Sequence, residues 1–263
     1  MIKYNIILLL SVYLNIMHKR SYARFWEIDF FRGIAIIMMI IFHFLYDLNY
    51  LNIFNLSLYS GYFLIYVYLV GITFFLLVGI SLTLSYSKVK ETLPKNKLIL
   101  KYLIRGFKIF SLGLIITIIT FLILKEGFVV FGVLHCIGIS IILSYPFLKL
   151  RYLNLLFGLI LICFGIILKI LTFDFYFLIW LGFRPEMFYT IDYFPLLPWF
   201  GIILIGIFLG NTFYNKHIRR INLTDLSTNR FVRFFTFLGK HSLIIYFIHQ
   251  PIILLILYLY LSI

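Results

Sequence analysis

Ionisable side chains stand inside apolar segments of this chain, at spacings that favour a common helix face. Arg32, His43 and Asp47 lie in one such segment. Arg32 and His43 are eleven residues apart, about three helical turns, and Asp47 follows about one turn later, so all three share a face. An aspartate four residues after a histidine can orient the imidazole and stabilise its charged form, as a general base requires. Ionisable groups are costly in lipid and usually face a bundle interior, so the pair is a candidate acid–base centre. The alternative is a pair that only satisfies itself across helices.

Other apolar segments carry matching groups. His135 lies in GVLHCIGIS, His249 lies in IYFIHQP, and Asp192 opens the segment DYFPLLPWFG. If these segments are membrane helices, the three residues lie at a depth similar to that of His43 and Asp47, in the outer half of the bilayer. We therefore expect three histidines and two carboxylates to converge there, with the histidines and Asp47 as the catalytic candidates.

A second group of polar residues is cationic. Lys101, Arg105 and Lys108 follow one another at helical spacing, and Arg32 and His241 are expected at the same level of the bundle. Long basic side chains that reach the interface explain part of this pattern. A cluster of this kind also suits phosphate groups. Arg32, Arg105, Lys108 and His241 are therefore the candidates for binding a phosphorylated ligand.

The composition indicates that these residues are set in a membrane protein. Hydrophobic residues make up 63% of the chain and charged residues 12%, against about a quarter charged in an average soluble domain. So much apolar side chain favours the bilayer as solvent. The net charge of +14 comes from Lys and Arg in short loops, a pattern that sets membrane orientation, so no nucleic-acid partner is predicted. Two cysteines exclude a disulfide framework, and no ligand spacing predicts a metal site.

Seven apolar segments are long enough to cross the hydrocarbon core as helices. They span 30–49, 62–86, 102–124, 128–148, 152–171, 193–212 and 238–261. We therefore predict an all-α fold, a polytopic transmembrane helix bundle of seven core helices in one domain, 24–263. Residues 1–23 form an N-terminal extension with a short apolar stretch. It is an extra, eighth helix, a signal-like start without a cleavage site, or a leader before a true start at Met17, and these alternatives stay open.

The loops predict the orientation of the bundle. Loops 87–101 and 213–233 are rich in Lys and Arg, whereas 50–61 has neither and 172–192 is net acidic. Basic loops stay on the cytoplasmic side of a membrane. We therefore expect a multi-pass protein of the cell membrane, with the tail before Phe30 cytoplasmic and the C-terminus outside.

Four motifs together resemble a known family. They are EIDFFRGIAIIMMIIFHFLYDL (27–48), FGVLHCIGIS (131–140), DYFPLLPWFG (192–201) and LGKHSLIIYFIHQP (238–251). In this order they resemble the heparan-alpha-glucosaminide N-acetyltransferase catalytic-domain family, and the last motif is also similar to the broader membrane acyltransferases. The resemblance covers roughly 24–261. It implies a bundle that takes acetyl groups from cytoplasmic acetyl-CoA, as co-substrate rather than bound cofactor, and delivers them to an external amino sugar or glycan hydroxyl.

The resemblance carries over residue by residue only in part. Asp29, Arg32 and Gly33 match the family at the start of its first helix. The lysosomal enzyme has its active-site histidine in the luminal segment after that helix, but segment 48–61 has no histidine here. The catalytic role therefore passes to His43 by chemical argument alone, and heparan specificity does not carry over.

Within the matching motifs, we also expect Asp192, Trp199 and Gln250 to contact the acceptor substrate. The expected partners are thus membrane lipid, acyl-CoA and an external glycan or amino sugar. The acyl chain, the identity of the acceptor, a homodimer, and direct transfer versus an acyl-histidine intermediate all stay open.

Other functions fit the same residues less well. Buried His and Asp groups can relay protons, so a proton-coupled transporter or flippase of a small or lipid-linked substrate is the alternative. No inverted repeat of broken helices supports it. A metal enzyme that uses the histidines is disfavoured because no close two-histidine spacing occurs.

Overall fold

The computed structural model describes residues 24–58, 60–215 and 218–262. The extension predicted for residues 1–23 lies outside the described residues. The α-helices of the described part are α1 (Trp26–Tyr50), α2 (Gly61–Val89), α3 (Lys95–Leu124), α4 (Val133–Leu143), α5 (Tyr152–Ile170), α6 (Leu196–Phe213), α7 (Arg230–Lys240) and α8 (Ser242–Leu261). Short 3-10 helices span Tyr145–Lys149 and Ile179–Leu181, and a small hairpin joins β1 (Tyr214–Asn215) to β2 (Ile218–Arg219).

The predicted all-α polytopic bundle is confirmed. Within the described residues, six helices are long and apolar enough to cross a membrane: α1, α2, α3, α5, α6 and α8. Their outer faces expose many large apolar side chains, as expected where lipid is the solvent. The chain is therefore a multi-pass membrane protein.

The predicted segment 128–148 forms a shorter helix than expected. Helix α4 covers only Val133–Leu143 and is followed by the 3-10 helix that contains Pro146. Proline lacks an N–H and disfavours a helical conformation in the residue before it, so the α-helix ends early. At the other end, Phe131 pairs with Tyr193 in an isolated parallel bridge. The chain before α4 is therefore extended and tied to the segment that leads into α6.

Helix α6 lies at the centre of the bundle, between α2 and α5. Ile203, Leu204 and Ile207 are fully buried. At the crossing with α2, a Cβ on Gly79 would overlap the carbonyl oxygen of Ile203, and one on Gly206 would overlap that of Leu76. The absence of these side chains lets the two backbones approach closely, a common device of membrane helices.

Helix α7 departs from the sequence pattern, which predicts a loop over 213–233 and one helix over 238–261. The structure has a separate helix that ends at Lys240, a one-residue break at His241, and then α8. The Asn229 side chain caps α7 by accepting hydrogen bonds from the amides of Phe231 and Val232. Hydropathy alone misses α7 because the helix is short and its basic residues, Arg230, Arg233 and Lys240, lower its mean hydropathy.

An ion pair fastens the start of α1 to the hairpin. Arg219 donates two hydrogen bonds to the buried carboxylate of Glu27, at 2.8 and 2.6 Å, and the phenol of Tyr214 donates a third at 2.9 Å. Burial raises the pKa of Tyr214, with the charge of Glu27 as a further cause. This end of the bundle also carries the first turns of α3 and the whole of α7, and we call it the basic face.

Candidate active site and comparison with known proteins

Two of the predicted catalytic histidines meet inside the bundle. The rings of His43 on α1 and His249 on α8 lie 4.8 Å apart, centroid to centroid, at an interplanar angle of 60°. His249 is buried and His43 half-buried. The two helices therefore bring together residues that are 206 positions apart in the chain.

Hydrogen bonding defines the tautomer of His249. Its Nδ1 lies 2.7 Å from the carbonyl oxygen of Tyr246. A carbonyl oxygen can only accept, so Nδ1 carries the hydrogen and Nε2 presents a lone pair. Nε2 is buried and has no hydrogen-bond partner among the described residues. An imidazole held in this way is able to take a proton or to attack an electrophilic carbon.

Asp47 has a different partner from the one expected. Gln250 donates its side-chain amide to both carboxylate oxygens of Asp47, at 2.9 and 2.8 Å. The carboxylate is therefore held by Gln250 of α8 and not by the imidazole of His43. Gln250, expected to contact substrate, has its amide nitrogen engaged, while its carbonyl oxygen has no partner in the described part of the chain.

His135 lies in a separate, satisfied network. Its Nδ1 accepts a hydrogen bond from the amide of Gly132 at 3.2 Å, so Nε2 carries the hydrogen and lies 3.3 Å from the hydroxyl of Thr117. That hydroxyl in turn donates to the carbonyl oxygen of Val129 at 2.7 Å. The histidine is 2% exposed. These contacts fasten the start of α4 to α3, and the expected convergence of three histidines is not seen.

Asp192, which comes shortly before α6 in the sequence, places its carboxylate beside the first residue of α4. Its carboxylate accepts a hydrogen bond from the amide of Val133 at 3.3 Å, where the dipole of the helix favours negative charge. Burial raises the pKa of Asp192 to about 6, and the hydrogen bond from Val133 opposes that shift. Its charge also acts on the phenol of Tyr246. Asp192 is thus in electrostatic range of the helix that carries His249.

Trp199, the other residue expected to contact substrate, packs in the main apolar core. Its ring lies 4.8 Å from that of Phe194 and 4.9 Å from that of Phe75. It is 7% exposed. The geometry gives Trp199 a packing role, and a role in substrate binding stays a prediction.

Some members of the predicted cation cluster make hydrogen bonds or ion pairs with described residues, and others do not. Arg32 donates to Asp29 and to the hydroxyl of Ser81, both at 2.7 Å. Arg105 is half-buried and close enough for its charge to act on Arg32, but it has no hydrogen bond or ion pair with any described residue. Lys108 is exposed on the outside of α3.

His241, the remaining candidate for binding a phosphorylated ligand, is exposed at the break between α7 and α8. Its Nδ1 lies 2.9 Å from the carbonyl oxygen of Phe237. The ring therefore contacts the last turn of α7. Of the four predicted cations, Arg105 and Lys108 have no ion pair with a described residue, and of these two Arg105 is the half-buried one.

Comparison with known proteins identifies the family. A model of the heparan-alpha-glucosaminide N-acetyltransferase catalytic family matches residues 24–251. Neither a curated protein nor a solved structure matches the chain. The matched range contains both histidines of the pair, the bound Asp47 and the cations of the basic face. The chain therefore belongs to the heparan-alpha-glucosaminide N-acetyltransferase catalytic-domain family, and is in general terms a membrane acetyltransferase.

Proposed function

We propose that the chain transfers an acetyl group from acetyl-CoA, bound from the basic face, to an amino sugar or glycan hydroxyl that reaches the pair of histidines from the opposite face. The observation that carries this proposal is the buried, unpartnered Nε2 of His249 beside the ring of His43. A family of acetyltransferases supplies the reaction class. The histidine pair supplies a group able to perform it.

The chemistry requires one proton acceptor. Nε2 of His249 takes the proton from the attacking amine or hydroxyl, whose nitrogen or oxygen then bonds to the thioester carbonyl carbon. The carbon–sulfur bond breaks, and the thiolate leaves as CoA after it takes up a proton. In the alternative route, Nε2 itself bonds to the acyl carbon and releases the thiolate, and the acceptor then takes the acyl group from the ring.

The donor end is proposed to lie at Arg105. Acetyl-CoA carries several phosphate charges, and a guanidinium binds phosphate oxygens through strong, charge-assisted hydrogen bonds. Arg105 is half-buried and has no ion pair among the described residues, whereas the charge of the neighbouring Arg32 is already paired with Asp29. The basic loops predict that this face is cytoplasmic, where acetyl-CoA would be the donor.

One assay tests the proposal directly. Protein purified in detergent is mixed with acetyl-labelled CoA and glucosamine, and the label is followed. We expect label on the acceptor with the wild type, transfer reduced roughly a hundredfold or more with His249→Ala, and normal transfer with Tyr258→Ala, an exposed aromatic of the same helix. If label stays on CoA with every amino sugar and glycan acceptor tried, while proteoliposomes move a substrate across the bilayer, the chain is a transporter instead.

A further inference from the structure

A cavity of about 660 Å³ opens at the basic face, between the start of α1 and helix α7. It lies apart from the histidine pair. Among the described residues, four cationic side chains line it, Arg24, Arg230, Arg233 and Lys240, against the single carboxylate of Asp29. Such an excess of positive charge around a concave site favours an anionic ligand.

The carboxylate in the lining is already neutralised. One oxygen of Asp29 accepts a hydrogen bond from Arg32 at 2.7 Å, and the other lies 3.9 Å from Arg24. Asp29 is 4% exposed. Asp29 therefore contacts both Arg32 and, in the lining, Arg24. Its repulsion of an anion is offset by these two guanidinium groups.

Two hydrogen-bond donors in the lining have no partner. The indole nitrogen of Trp26 and the hydroxyl of Thr236 are buried and make no hydrogen bond with any described residue. Thr236 is 9% exposed. Buried donors of this kind are costly unless they are satisfied. A phosphate oxygen that satisfied either donor would remove that cost, and the cations of the lining supply the charge that attracts it.

Exposed aromatic side chains of α7 border the cavity. Phe231, Phe234 and Phe237 follow one another at intervals of three residues on α7, and each is more than half exposed, at 64, 55 and 59%. A short helix with basic residues beside an exposed aromatic stripe is typical of helices that lie at a membrane interface. A ligand there would have acyl chains beside the aromatic stripe and its charge in the cavity.

We propose that this cavity binds the phosphate headgroup of an anionic phospholipid from the leaflet at the basic face. Clusters of four or more Lys and Arg next to membrane helices recognise anionic lipids, each cation contributing roughly equally. The proposal does not depend on the acetyltransferase reaction. A soluble phosphate ester such as CoA is the competing source of the same chemistry, and the test separates the two.

The experiment measures lipid binding to the purified full chain in detergent by native mass spectrometry, with phosphatidylglycerol and phosphatidylcholine as probes and CoA as the soluble probe. We expect the wild type to prefer phosphatidylglycerol. The double variant Arg230→Ala/Arg233→Ala should lower that affinity roughly tenfold or more. Thr236→Val, which keeps the shape and charge, should lower it a few-fold, since one donor is lost.

The matched control is Lys95→Ala/Lys97→Ala, which removes two exposed cations from the first turn of α3 at the same face. It should bind phosphatidylglycerol as the wild type does. Equal loss in this control, or no preference for phosphatidylglycerol over phosphatidylcholine in the wild type, would overturn the proposal. So would a variant at Arg230 and Arg233 that loses CoA binding and keeps the lipid, because the cavity would then serve a soluble ligand.

Discussion

The side-chain amide of Gln250 binds both oxygens of Asp47, and this contact joins α8 to α1 one residue along from His249. Asp47 is 4% exposed, so its carboxylate has lost most of its contact with solvent. The amide replaces solvent as the hydrogen-bond donor. The contact thereby sets the register in which α1 and α8 present their two histidines to each other.

Removing Gln250 should therefore destabilise the bundle. In Gln250→Ala the carboxylate of Asp47 stays buried without its donor, at a cost of about 1–3 kcal/mol. The double variant Asp47→Leu/Gln250→Leu removes both partners and should be less destabilised than the sum of the single variants Asp47→Leu and Gln250→Leu. Thermal unfolding in detergent measures both, with the exposed Asn96→Ala as control. Strictly additive effects of the two single changes would show that the pair is not coupled.

The histidine pair predicts a loss of chemistry without loss of donor binding. His249→Ala should lower turnover by roughly a hundredfold or more, the usual contribution of a general base. His43→Ala should also lower it, because its ring is in contact with the ring that accepts the proton. CoA affinity, measured by calorimetry, should stay within twofold in both. If His43→Gln and His249→Gln both keep near-normal turnover, neither imidazole takes part.

Arg105 and Lys108 should differ in their effect on the donor. Arg105→Ala should raise the dissociation constant for acetyl-CoA about tenfold or more, since a charge-assisted contact contributes about 1.5–3 kcal/mol. Lys108→Ala should change it little, because that side chain is exposed on the outside of α3. Lys97→Ala is the matched control for loss of an exposed cation. Equal effects of all three would mean that only the general charge of the basic face matters.

The ion pair of Glu27 and Arg219 should contribute strongly to stability. Arg219→Ala leaves a buried carboxylate with only the phenol of Tyr214 as donor, which typically costs about 3–5 kcal/mol. Arg220→Ala, the exposed neighbour, should stay within about 0.5 kcal/mol of the wild type. Thermal unfolding compares the two. If both variants lower stability by the same small amount, the carboxylate of Glu27 is solvated and does not depend on Arg219.

The carboxyl group of Asp192 predicts a pH dependence of stability. Its pKa is raised by burial to about 6 from the ordinary 3.8, so folding favours the protonated form. The stability that it contributes is fully present below about pH 4 and is lost as the pH rises through about 6, by up to about 3 kcal/mol. Asp192→Asn should therefore lose less stability than the wild type between pH 5 and pH 7. An identical pH profile for the two proteins would contradict the assignment.

Hydropathy and charge were sufficient to predict most of the fold. Six apolar segments became helices long enough to cross a membrane, with ends within a few residues of those expected in most cases. The short α4 was overestimated because the aromatic residues before Val133 look helical on hydropathy alone, whereas they form extended chain paired with Tyr193. Helix α7 was not predictable from the charge pattern, because packing against α1 stabilises it and such packing is not visible in the sequence.

The site was predictable by residue type but not by partner. Helical spacing predicts that His43 and Asp47 share a helix face. The proximity of His43 to His249 follows only from their similar predicted depth in the membrane. Spacing along one helix cannot reveal that Gln250, on another helix, reaches Asp47 first. The same limit applies to Ser81, a common residue type in an apolar helix, which binds Arg32.

The contact between α1 and α7 limits how this protein can move. A Cβ on Gly33 would overlap the carbonyl oxygen of Phe235, and one on Gly239 would overlap that of Asp29, so the two backbones touch along a full turn. Close backbone contact of this kind leaves little room for either helix to slide along the other. Helix α8 lies beyond this contact, joined to α7 by the single non-helical residue His241. A tilt there would change the separation of His43 and His249 while the basic face keeps its shape.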